Sequence, residues 1–292
     1  MQAAEATSHG AITIVNAMAT GKGAALGVRL WTKARVTLTR YSREIQTQII
    51  GQPEEDTSLL RSTVNTVFRE YGAQQYGAVV ETESNIPIAV GLKSSSAASN
   101  AIAAATLMAL GRRARGPEVV RLAVAASLEA GVTLTGAFDD ACACYFGGLI
   151  VTNNRTKHVL RRVQVPPHRY HVLIYVPVER SYSGKVRQNE LMEIADLVEQ
   201  AHREVLKDRY LLSLTLNGIA YSKALGYDVS PAIDALHEGA VAAGLSGKGP
   251  AFAAIVPNAR VANVISAWRR YSGRVIDTTF NFENAIARSI SI

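Results

Sequence analysis

One stretch constrains this chain more than any other. It is Ile86, Pro87, Ile88, Ala89, Val90, Gly91, Leu92, Lys93, Ser94, Ser95, Ser96, Ala97 and Ala98. A strand-like segment with Tyr76, Ala78, Val79 and Val80 precedes it and ends at Glu81 and Glu83. A slim helix rich in alanine is expected over 97–110. A glycine- and serine-rich loop therefore joins a strand to a helix N-terminus. The first N–H groups of a helix lack partners, and the helix dipole is positive there, so such a loop favours phosphate. Ser94, Ser95 and Ser96 offer hydroxyls to cap the helix, hold phosphate oxygens or touch Mg²⁺, and Lys93 adds a positive charge. Read alone, three serines are an ordinary helix cap. The loop is not a Walker A sequence, which needs Gly-x-x-x-x-Gly-Lys-Ser/Thr. Lys93 follows Leu92, and the pairs Gly21-Lys22 and Gly247-Lys248 are each followed by glycine.

The rest of the chain gives the loop its company. With 292 residues, 48% hydrophobic and 19% charged, a folded protein of about two domains is expected. The net charge of +7 suits anionic ligands, RNA included. The basic residues are scattered, with short clusters at Arg112-Arg113, Arg161-Arg162 and Arg269-Arg270, and none is interleaved with aromatics. No apolar run is long enough to span a bilayer, and no charged n-region leads an apolar h-region, so a cytoplasmic protein is expected. Cys142 and Cys144 are two residues apart and read as small core side chains.

Strands are expected at 11–15, 25–30 and 34–39. Between the first two lies a small-residue loop with Asn16, Thr20 and Lys22, where Lys22 reads equally as a solvated hairpin lysine or as a partner for an anion. Leu59, Leu60, Val64, Val67 and Phe68 recur at helical spacing over 56–71. Gly116 and Pro117 open a helix running to Glu129 or Ala130. Then Thr135, Gly136, Ala137, Phe138, Asp139 and Asp140 lead into apolar sequence. Aspartate is seldom buried unless paired, capping or metal-bound, so Asp139 is a candidate catalytic carboxylate, with Asp140 in support. Glu129 is a candidate Mg²⁺ ligand beside it. A strand at 147–152 follows. The basic stretch 155–169 sets the expected boundary between a domain of residues 1–155 and one of residues 156–292. The second domain reads as strand, three helices, strand, helix, strand, an α+β pattern with a mixed or antiparallel sheet. Its glycine cluster, Gly244 to Pro250, includes Gly247 and Gly249.

Taken in order, these segments resemble the GHMP kinase superfamily. Pro87, Gly91, Leu92, Ser94 and Ser95 match its Pro-x-x-x-Gly-Leu-x-Ser-Ser motif, and Thr135 to Asp139 resembles its catalytic segment. Gly244 to Pro250 resembles its late glycine loop. Within the superfamily, 10–17, 19–25, 91–98, 135–141 and 243–247 are most similar to the archaeal-type shikimate kinases, which share the lysine at position 93. Lys248 departs from the pattern, where threonine is expected. The resemblance implies a two-domain α+β fold, with an N-terminal domain like the second domain of ribosomal protein S5 and a ferredoxin-like C-terminal domain. It implies ATP-dependent phosphorylation of the shikimate 3-hydroxyl, a step of chorismate and aromatic amino-acid biosynthesis. ATP would contact residues 87–97, Gly247 and Gly249. Mg²⁺ would be held by Ser95 (or Ser96) and Glu129. Asp139 would accept the hydroxyl proton, with Lys22 or Lys93 neutralising the γ-phosphate. Asn16, Thr20, Lys22, Thr135, Asp139 and Arg180 would meet shikimate, whose carboxylate needs a cation such as Arg180, Arg187 or Lys22. Homoserine and mevalonate are rival acceptors. RNA binding through the S5-like domain is a rival of another class, against which the acidic centre argues, and no nucleic-acid or membrane partner is expected. The oligomeric state stays open between monomer and homodimer.

Overall fold

The structure is a computed structural model that describes residues 2–133, 135–166, 169–178 and 188–291. Its first layer is built on a long hairpin. Strand β1 (Ala3–Val15) pairs antiparallel with β2 (Lys22–Thr39). The two strands expected at 25–30 and 34–39 are one strand of 18 residues. A register shift at His9/Gly10 absorbs the irregularity around Arg29 and Leu30, as a bulge does. Strand β3 (Ile45–Ile49) pairs parallel to β4 (Gly77–Ser84), and between them runs helix α1 (Ser58–Tyr71). Leu59, Leu60, Val64, Val67 and Phe68 are all buried, as their spacing predicts.

Helices α2 (Ser94–Ala109), α3 (Gly116–Glu129) and α4 (Phe138–Phe146) cover one face of this sheet. Helix α2 is buried nearly all round. Ala97, Ala101, Ala103, Ala104 and Ala105 are at most 1% exposed. Only small side chains let a helix lie this close to a sheet and three other helices at once. Strand β5 (Leu149–Asn153) pairs with β2, and β6 (His158–Val163) pairs with β5.

The second layer starts at β7 (Tyr170–Pro177). Helices α5 (Gln188–Glu193), α6 (Ala195–Leu206), α7 (Tyr210–Ala224) and α8 (Ser230–His237) follow. Then come β8 (Ala242–Leu245), β9 (Phe252–Pro257), α9 (Val261–Trp268) and β10 (Gly273–Thr278). The sheet order is β10-β7-β9-β8, antiparallel throughout. With its connecting helices this is a ferredoxin-like arrangement. Strand β11 (Ile286–Ile290) returns to pair with β1.

Sheet membership crosses the expected boundary at 155/156 twice. Strand β6 extends the first sheet to Val163, and β11 closes its far edge. Strand β6 reads as a linker in sequence because most of it is exposed and basic, including Arg161 and Arg162. Charge on an edge strand protects it from pairing with another chain. No helix among the described residues is long and apolar enough to cross a membrane.

Within the second layer, helix and sheet pack at close quarters. In α7, a Cβ on Gly218 would overlap the backbone of Gly244, and one on Gly244 would overlap Leu214 and Gly218. Replacing a helical glycine by alanine ordinarily adds up to ~1 kcal/mol of stability. Here overpacking should outweigh propensity, so Gly218→Ala should destabilise by about 1–3 kcal/mol. Urea unfolding checks this, and a gain in the midpoint would refute the packing argument.

Candidate active site

The loop after β4 does not end in a serine cap. The residue preceding α2 is Lys93, in the left-handed region at φ 66°, and no side chain caps the helix. Ser94, Ser95 and Ser96 lie inside the first turn and line an open cavity of about 380 Å³. The first N–H groups of α2 are thus left free of side-chain caps beside the cavity. That is the arrangement that binds anions.

The loop is locked from the other layer. Ser246 Oγ donates to Gly91 O at 2.9 Å, and Ala251 N donates to Val90 O at 3.2 Å. Thr13 joins them, its N–H reaching Ser246 Oγ at 3.2 Å and its Oγ1 accepting from Gly247 N at 2.8 Å. Gly91 sits at φ 88°, and a Cβ there would overlap Ser246 O. Glycine is required at this position both by conformation and by the approach of a second backbone.

Opposite the loop, Gly136 and Ala137 (φ 78° and 47°) turn the chain into α4 and place Asp139 and Asp140 in its first turn. Asp139 is 3% exposed. Its Oδ1 accepts from Asn154 Nδ2 at 2.7 Å, and its N–H donates to Asn154 Oδ1 at 3.2 Å. Thr152 Oγ1 donates to the same Asn154 oxygen at 2.6 Å, which fixes the amide's orientation. The carboxylate also rests on β2, where any Cβ at Gly23 would overlap Asp139 Oδ2. Burial, and then the neighbouring Asp140, push the Asp139 carboxyl up to about 7, against the pull of Lys93 and Asn154. Lys93 Nζ lies 3.1 Å from Asp140 Oδ1, with the lysine side chain 9% exposed. A desolvated carboxyl titrating near neutrality, beside an anion-binding helix start, can accept a proton from a bound hydroxyl.

The cavity gathers many of the residues singled out in sequence. Asn16, Ala89, Gly91, Lys93, Ser94, Ser95, Ser96, Thr135, Asp139, Gly247 and Gly249 line it. Of the rest of the loop, Val90, Leu92 and Ala97 are core residues, and Pro87 and Ile88 are half-buried away from the lining. Asn16 has little amide left for a ligand. Its Nδ2 donates to Gly247 O at 2.9 Å, and its Oδ1 accepts from Met18 N at 3.0 Å. Thr20 Oγ1 accepts from Lys22 N at 3.2 Å and closes a turn instead of lining the cavity.

Two expected ligands point elsewhere. Lys22 does not line the cavity, and its Nζ lies 2.6 Å from Glu199 Oε1 on α6. Adjacent strand residues face opposite sides, so with Gly23 against Asp139, Lys22 is turned toward the second layer. Glu129 is corrected likewise. Its carboxylate is held by Arg69 at 2.7 Å and Thr66 at 3.2 Å, on the α1 side of α3. Ser127 lines the cavity, and Glu129 stands roughly 200° further round the helix. Arg180 and Arg187 lie outside the described residues. Sequence reading missed Asn154, which holds Asp139, and Ser127, Thr133 and Lys248, which line the cavity. Among them only Lys248 carried a signal, as a departure from a glycine-loop pattern.

Comparison with known proteins accords with this geometry. Residues 58–148 match the GHMP kinases N terminal domain, and residues 186–273 match the GHMP kinases C terminal family. A shikimate kinase of Methanosarcina acetivorans is 43% identical over 97% of this chain and 95% of its own length. One of Pyrococcus furiosus is 40% identical over 92% of this chain and 96% of its own. Among solved structures, a Methanococcus jannaschii mevalonate kinase superposes with a TM-score of 0.78 at 13% identity, covering 95% of this chain and 98% of the other. A homoserine kinase from Cytophaga hutchinsonii gives 0.75 at 17% identity, covering 97% of each chain. Two matched family domains in order, around a capless helix start and a buried aspartate, make this chain a member of the GHMP kinase family.

Proposed function

We propose that this chain is a shikimate kinase, transferring the γ-phosphoryl group of ATP to the 3-hydroxyl of shikimate to give shikimate 3-phosphate and ADP. The observation that carries this reading is the 43% identity to a curated shikimate kinase along 97% of the chain. The structural neighbours that act on mevalonate or homoserine share the fold at 13–17% identity and do not bear on the acceptor.

Phosphoryl transfer needs positioning and charge neutralisation more than covalent help from the protein. The start of α2 and residues Gly91 to Ser96 receive the phosphates. Asp139 accepts the acceptor's hydroxyl proton as the new O–P bond forms and the bond to the β-phosphate oxygen breaks. Asn154 keeps one carboxylate oxygen engaged, so the lone pairs of the other can face the hydroxyl. A carboxyl held near 7 is a better base than one at the usual value, yet is ionised often enough to act. Thr135 and Asn16 border the acceptor.

The residues present fit a phosphate-bound Mg²⁺. Among the described residues no three His, Cys, Asp or Glu side chains come together as a metal site. Mg²⁺ commonly takes one or two protein ligands and leaves the rest to phosphates and water. Ser95, with Ser96 and Asp140 beside it, would hold the ion, which would supply charge neutralisation on the phosphates.

Four results are expected. In an ADP-release assay across shikimate, homoserine and mevalonate, shikimate should be turned over by far the fastest, and preference for either other acceptor overturns the assignment. Asp139→Asn should lower kcat by about 10²-fold or more. The same variant should change stability in a pH-dependent way. A carboxyl raised from 3.8 to about 7 in the folded state costs nothing below 3.8, and its cost grows as pH rises to 7 and stays full above. The variant should therefore melt higher than the parent at pH 8 and about equally at pH 4. Thermal melts at both pH values check it. Finally, Ser95→Ala should raise the Mg²⁺ concentration needed for half-maximal rate, and an unchanged requirement would transfer the ligand role to Ser96.

A further inference from the structure

The turn that locks the phosphate loop carries one residue that neither the locking bonds nor the proton transfer uses. Gly249 N–H donates to Ser246 O at 2.9 Å, so Gly247 and Lys248 are the two central residues of a tight turn. Gly247 (φ 61°) and Gly249 (φ 75°) both occupy the left-handed region. A Cβ on Gly247 would press on Gly91 and the Lys93 ammonium, and one on Gly249 would overlap the Tyr227 ring. The turn is therefore pinned on both flanks, and Lys248 stands at its tip.

Lys248 lines the cavity. Among the described residues, no hydrogen bond, ion pair or ring contact engages its ammonium. The other lysine of the cavity, Lys93, already faces Asp140. Two carboxylates and one committed lysine leave the cavity short of positive charge for a polyanion. Lys248 is a second lysine lining that cavity, carried on the turn that packs against Gly91. A threonine, expected at this place in the loop, would offer only a neutral hydroxyl.

We propose that Lys248 is a phosphate-binding residue, its ammonium closing on the nucleotide's phosphate chain from the second layer while the start of α2 holds it from the first. The inference rests on the kinase reading of the site and extends it to a residue of this chain's own. A lysine is a compact charge on a flexible stem and can follow a phosphate as it is transferred. The turn's backbone bonds run through Ser246, Gly247 and Gly249, so changing the side chain at 248 leaves the lock in place.

Calorimetric titration without acceptor tests it. Wild type, Lys248→Thr and Lys248→Arg are each titrated with Mg·ATP, ADP and adenosine. Lys248→Thr should weaken ATP binding about tenfold, the scale of one charge-assisted contact, and leave adenosine unchanged. Lys248→Arg should keep most of the affinity. The gap between wild type and Lys248→Thr should shrink at high salt. Wild-type ATP affinity in Lys248→Thr, or equal losses for ATP and adenosine, overturns this inference alone. Failure of the wild type to bind ATP overturns the kinase reading, and this inference with it.

Discussion

The contact on which the rest depends is the seam where the backbone of Gly91 meets that of Ser246. Each belongs to a different layer, and a single methyl group at Gly91 would part them. Thr13 threads the seam from β1, using both its N–H and its hydroxyl. Three segments far apart in sequence thus share one small set of buried hydrogen bonds. Buried polar groups are costly when unpaired, so these bonds specify one arrangement of the layers more than they add net stability. The start of α2 is aimed at the cavity because the loop before it is held from behind. On the other side, Asn16 is fastened to α7, its N–H on Asn217 and its carbonyl on the Tyr221 hydroxyl. The cavity floor is therefore rigid on both flanks.

Charge inside that cavity is arranged by separation of roles. Asp140 occupies Lys93, and Asp139 occupies Asn154. Two adjacent carboxylates in the first turn of one helix gain from its dipole, but burial acts more strongly on Asp139 and raises its proton affinity. A raised affinity is what a proton-accepting role would call for, and it lowers the stability of the ionised fold. The conflict between base strength and folding is local to one side chain.

Much of this was legible in the sequence, for physical reasons. The small residues of α2, the glycines of the loops and the aspartates in apolar surroundings each answer to a local rule that residue type reveals. The amphipathic helix α1 was equally plain. What escaped were facts of direction and distance. Glu129 and Ser127 are two residues apart on one helix, and the sequence does not say which of them faces the cavity. Lys22 and Gly23 are neighbours on a strand, and the one that meets Asp139 is the one without a side chain. Asn154 reads as a turn residue and becomes the partner of Asp139 only through the pairing of β5 with β2. The edge strands β6 and β11 lacked a clear alternation of apolar residues, because edges carry charge.

The seam also sets a timetable. Thr13 bonds to residues 233 and 234 positions further along the chain. At about 5–20 residues per second, synthesis delivers its partners roughly ten to fifty seconds after Thr13 itself. Until then the loop before α2 has nothing behind it, and β1 also waits for β11 on its open edge. The nascent chain can fold its first helices early, but it cannot yet fix the loop that leads into α2. Contacts this distant in sequence make for slow closure. Activity appears only after nearly the whole polypeptide has emerged.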